Sequence, residues 1–74
     1  MTSPEDARDR IMATLTDHFG RTEKHLTPEE VADMTGLELG LVQNSLRVLH
    51  KMNKIEAVVV AELAYPVKVT DVVW

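Results

Sequence analysis

Cysteine is missing from this chain. Its absence removes disulfides and every thiolate metal site, and for so small a body it points to a reducing compartment. Aromatic residues are scarce, with one Phe, one Tyr and one Trp, so any core must be aliphatic, built from Val, Leu, Ile, Met and Ala. Three glycines and three prolines leave little material for long loops. No apolar run approaches the roughly 20 residues needed to cross a bilayer. The opening Met1-Thr2-Ser3-Pro4-Glu5-Asp6 is acidic and polar where a secretion signal is basic and then apolar. A cytoplasmic location with no membrane partner is the expectation.

The usual chemical motifs are missing as well. The sequence holds no glycine-rich phosphate loop and no Gly-x-Ser-x-Gly. His18, His25 and His50 share no ligand spacing, so no metal site is expected. The paired acids Glu5/Asp6 and Glu29/Glu30 are explained by the positive end of a helix dipole rather than by catalysis. A non-enzyme without cofactors follows. What is present, 45% apolar and 27% charged residues in a chain of 74, suits one small folded domain over residues 1–74 and argues against disorder.

The helix signals are local and strong. Ser3-Pro4-Glu5-Asp6 supplies a capping hydroxyl, a proline at the first helical position and two acids for the first turn. Ala7, Ile11, Leu15 and Phe19 then recur every four residues up to Gly20, predicting a helix from about residue 4 to 19. Thr27-Pro28-Glu29-Glu30 repeats the opening with a capping box, and Leu26 and Val31 are spaced as a hydrophobic staple. This second helix is short, because Gly36 stands ready to end it in a left-handed conformation. Residues 38–54 carry a third helix, with Leu39, Val42, Leu46, Leu49 and Asn53 on one face. From Ile55 the texture turns β-branched, predicting a hairpin whose break spans Glu62 to Pro66. The break lacks an Asn-Gly or Asp-Gly pair, so a longer loop is expected, with Pro66 starting the second strand.

The order helix, short helix, glycine turn, longer helix, hairpin resembles a winged helix-turn-helix domain. Leu26, Thr27, Ala32, Gly36, Leu37, Val42, Leu46, Leu49 and Ile55 occupy the places of the MarR-like bacterial and phage regulators. The resemblance implies a mainly α fold with a small β hairpin of two or three strands as the wing. It also implies a DNA-binding transcription regulator whose third helix enters the major groove of double-stranded DNA.

On the far side of that helix from Leu46, the residue types suit such a role. Asn44 and Gln43 can pair with base edges, Arg47 with guanine or phosphate, and Lys51 and Lys54 with phosphates. The net charge of −4 opposes a polyanion, yet it is unevenly spread. Residues 1–37 hold eight acids against four bases and residues 55–74 three acids against one base, whereas residues 38–54 hold Glu38 against Arg47, Lys51 and Lys54. The third helix is the one net basic segment.

Other residues favour a protein partner. Glu38 stands where a small capping hydroxyl is usual in the resembling regulators, Leu41 and Val48 make the outward face greasy, and Ile55 to Pro66 contains no Lys or Arg. The hairpin's outer face, with Leu63, Tyr65, Val72 and Trp74, is apolar enough to be covered by a second copy, which predicts a homodimer. Two functions are therefore expected to compete. One is a DNA-binding regulator; the other is a protein-interaction winged helix using Leu41, Val48, Tyr65 and Trp74.

Overall fold

The computed structural model describes residues 3–21 and 25–70. It orders helices α1 (Pro4–Arg21), α2 (Pro28–Thr35) and α3 (Leu39–Lys51), followed by strands β1 (Ile55–Val60) and β2 (Leu63–Val69). The fold is mainly helical with a two-stranded antiparallel hairpin. α1 starts as its residues dictate, with the Ser3 Oγ accepting from the Asp6 N–H at 3.2 Å. It buries Ala7, Ile11 and Leu15. It runs to Arg21 rather than stopping before Gly20, since Gly20 keeps a helical backbone. Arg21 Nε pairs with Asp17 one turn back at 3.3 Å, an exposed contact worth a few tenths of a kcal/mol.

The start of α2 has both halves of its capping box. Thr27 Oγ1 accepts from the Glu30 N–H at 3.1 Å, and the Thr27 N–H donates to Glu30 Oε1 at 3.2 Å. Leu26 and Val31, the staple pair, both lie in the core cluster. The helix ends where Gly36 takes φ 74° and gives its N–H to the Ala32 carbonyl at 2.8 Å. No atom lies near the place a Cβ would occupy there, so the backbone angle and not space is what calls for glycine. Thr35 tightens the same turn, its hydroxyl donating to the Val31 carbonyl at 2.7 Å.

α3 buries Val42, Ser45, Leu46 and Leu49 against the other two helices. It ends at Lys51, three residues before the expected limit. Asn53 is the reason: it takes φ 60°, its N–H meets the His50 carbonyl at 3.1 Å, and the Lys54 N–H meets the Leu49 carbonyl at 3.0 Å. These crossed bonds are a Schellman ending, with asparagine in the place glycine usually fills. Asn53 therefore turns the chain outward instead of extending the buried stripe. Leu39 also departs from that stripe and is 39% exposed, and its neighbours Glu38 and Gly40 at the start of α3 are exposed as well.

The hairpin differs from expectation at its tip. Val60 pairs with Leu63, so the loop is only Ala61-Glu62, both left-handed with φ 50° and 69°. Two successive left-handed residues define the tight turn that suits strand twist, here built without glycine or asparagine. Pro66 lies inside β2 opposite Ala57, not at its start, and is buried. By alternation from the tip this is a position that makes no ladder bond to β1, so the missing N–H costs nothing. Glu56 pairs with Lys68 and Ala57 with Pro66, which leaves Val67 as a bulge. Ile55, Ala64 and Pro66 face the helices. The Pro66 carbonyl accepts from the Leu26 N–H at 3.2 Å, so the approach to α2 lies along β2 by one bond without forming a strand.

Candidate nucleic-acid interface

The open side of α3 is a stripe. Gly40, Asn44, Arg47 and Lys51 follow one another at helical spacing, and all four are exposed. Their opposite face is the core-locking set Val42, Leu46 and Leu49, so aliphatic burial on one side is what aims these polar groups at solvent. Gln43 is half-buried on the flank. Lys54 stands apart from the stripe: it lies beyond the helix end and lines a cleft with Glu5, Arg8, Asp9, Met12, Leu49 and Met52. Of the five residues expected to contact DNA, the fold thus groups Asn44, Arg47 and Lys51, sets Gln43 beside them, and separates Lys54.

Arg47 has a second attachment. Its Nη2 donates to the Glu62 carbonyl at 3.0 Å, joining α3 to the hairpin tip. A cleft of about 310 Å³ opens beneath this bridge, lined by Arg47, His50, Lys51, Val59, Glu62 and Ala64. A guanidinium has five N–H donors, so one bond to a carbonyl leaves donors for another acceptor. The Glu62 carboxylate carries the one negative charge among these lining residues and opposes an anion there. His50, Val59 and Glu62 were not among the expected site residues. Nothing local in the sequence marks Val59 and Glu62, because the hairpin register alone brings the tip over α3, where His50 lies beside Arg47 and Lys51.

At the other end of α3, Glu38 is the N-cap but makes no side-chain capping bond. Its carbonyl still accepts the first helical N–H, from Val42 at 3.0 Å. The N–H groups of the first turn therefore lack the side-chain acceptor that Ser or Thr would provide, while a carboxylate stands beside them.

Leu41 and Val48 are half-buried at the margins of the stripe. The large exposed apolar side chains are instead Met34, Leu39, Met52 and the run Val58, Val59 and Val60, the last three each more than half exposed. Tyr65 is half-buried and pairs across the hairpin with Val58. Trp74 and Val72 lie outside the described residues. Among the described residues, no three His, Asp or Glu side chains gather as a metal site, and no helix is long and apolar enough to cross a membrane.

No family model, curated protein or solved structure matches the chain. A functional reading consequently stands on the surface of α3 and the hairpin alone.

Proposed function

We propose that this chain is a winged helix-turn-helix regulator of the MarR-like kind that reads double-stranded DNA with α3. The observation that carries the reading is the uninterrupted exposure of Gly40, Asn44, Arg47 and Lys51 on the net basic segment of an acidic protein. Glycine at the leading position lets a backbone approach closely, the Asn44 amide suits an adenine edge, and Arg47 and Lys51 suit guanine and phosphate. The hairpin adds shape more than charge, since β1 and its tip contain no base and Lys68 is paired in register with Glu56. In this reading the protein works in the cytoplasm as a homodimer on two half-sites, without metal, cofactor or catalysis.

Fluorescence anisotropy with random and genomic duplexes, titrated at several salt concentrations, tests it. Binding should weaken steeply as salt rises. Lys51→Ala should lower the salt slope by about one, and Asn44→Ala should relax preference at one base pair at a cost of about 1–3 kcal/mol. A flat titration at micromolar protein removes the proposal. The protein-docking alternative is favoured by one observation, the three exposed valines of β1. It would move the partner surface from Leu41 and Val48 to the hairpin.

A further inference from the structure

The two edges of the hairpin are unequal. β2 is protected on its outer side: its bulge at Val67 interrupts the ladder, Pro66 has no N–H to offer, and the Pro66 carbonyl is already taken by Leu26. β1 has none of these devices. Ile55–Val60 contains no proline, glycine or lysine and a single charge, Glu56 near its start, and among the described residues no strand pairs with its other side. Natural proteins blunt free edges with such residues, so an unguarded, apolar, β-branched edge is a site for another strand. We infer that the occupant is β1 of a second copy, joined antiparallel about a two-fold axis at Val58 to make a continuous four-stranded sheet.

Main-chain geometry and charge choose this register. Val60 and Leu63 close the two-residue loop, so alternation turns the N–H and C=O groups of Val58 and Val60 toward β2 and those of Ala57 and Val59 outward. With the axis at Val58, Ala57 meets Val59 of the second copy, and each such pair exchanges both main-chain bonds. Lys54 of one copy then stands across from Glu62 of the other at both ends of the ladder. Moving the axis to Val59 sets Glu56 against Glu62 of the second copy, which like-charge repulsion disfavours. Moving it to Ala57 leaves Lys54 and Glu62 facing apolar residues. Because each chain offers one open hairpin edge, association closes at two copies rather than growing into a fibre. On the outer face the axis brings Val58 beside the Val58 of the second copy, with each Tyr65 flanking its own Val58 on the far side, which adds apolar cover to the main-chain bonds.

The test is sedimentation equilibrium of the full chain without DNA, over a range reaching several hundred micromolar. Its failure is distinguishable from that of the nucleic-acid reading: a monomer that binds DNA overturns this contact and the homodimer but leaves α3 as the DNA-reading helix, and a dimer that ignores DNA overturns only the other. Wild type should sediment as a concentration-dependent dimer. Val58→Lys, which puts two ammonium groups across the axis at an exposed site, should weaken it at least about tenfold. Lys54→Glu should weaken it a few-fold, and adding Glu62→Lys should restore it to within about twofold. Circular dichroism confirms folding of each variant, and the charge exchange remains decisive should Val58→Lys unfold. A wild-type monomer throughout, a dimer indifferent to Val58→Lys, or a charge exchange that fails to rescue would each overturn the proposal.

Discussion

The helical body and the hairpin are built on opposite terms. In the body, Ile11, Leu15, Val31, Val42, Leu46 and Leu49 are all but fully buried, and two of its three helices open on capping hydroxyls. In the hairpin, Val58, Val59 and Val60 are more than half exposed, and the tip holds two non-glycine residues at positive φ. One region is ordered by burial throughout; the other is buried on one face through Ile55, Ala64 and Pro66 and is otherwise tied at its root and by one arginine. At the root the Thr70 hydroxyl donates to the Asn53 carbonyl at 2.7 Å, and the Thr70 N–H donates to the Lys54 carbonyl at 3.0 Å. At the tip the attachment is Arg47 to Glu62. A helical body carrying a projecting ribbon is the arrangement that the proposed reading helix and wing would use, and equally the arrangement that leaves a strand edge open.

The strongest way to break the contrast is to hollow the body. Leu46→Ala removes a side chain with no exposure at the centre of α3 and should cost about 2–5 kcal/mol. Val59→Thr, in the hairpin, should cost less than about 0.5 kcal/mol. Urea unfolding followed by circular dichroism measures both, and similar losses at the two positions would mean that the hairpin is as much core as the helices are. Next in size is the cap of α2. Thr27→Ala deletes the acceptor for the Glu30 N–H while keeping the main-chain N–H that donates to Glu30 Oε1; about 1 kcal/mol should be lost. Unchanged stability would show that burial of Leu26 and Val31 alone sets the start of that helix.

How much was legible in the sequence follows the same division. The capping box, the staple and Gly36 were readable because each is a rule about residues three to five apart, and nothing distant overrides it. The end of α3 was misplaced because asparagine is a weaker stop signal than glycine. The crossed bonds that end the helix at Asn53 become visible only with the fold. The hairpin tip escaped for a tertiary reason: burying Ala64 and Pro66 against the helices fixes a register that forces Ala61 and Glu62 into a turn their side chains disfavour. At the candidate site, helical periodicity alone found Asn44, Arg47 and Lys51. It also placed Lys54 with them, since a helix drawn to residue 54 would have carried it round on the same turn. The bridge from Arg47 to Glu62 had no sequence signal at all.

That forced tip yields a change in the opposite direction. A non-glycine residue in the left-handed region costs roughly 1–2 kcal/mol, and Ala61 lacks the side-chain hydrogen bonding that eases asparagine into it. Ala61→Asn with Glu62→Gly should therefore stabilise the protein by about 1 kcal/mol without altering the register. Thermal melting reports the gain, and a loss would mean that the Glu62 side chain contributes more to the tip than its backbone strain removes.

The smallest effect expected is the most informative about function. Arg47 is exposed, and its bond to the Glu62 carbonyl is a single contact with a neutral acceptor. Arg47→Met keeps the aliphatic stem and deletes the donors, so global stability should fall by less than about 1 kcal/mol. Amide exchange separates the regions more sharply than melting does. Protection near Val60 and Leu63 should drop while that of Leu46 and Leu49 stays, because local opening of the ribbon need not involve the body. If both regions lose protection together, the hairpin is cooperative with the helices and Arg47 is a structural clasp. If only the tip loosens, Arg47 sets the angle of the wing over α3, and a ligand competing for its guanidinium would release the wing as it binds.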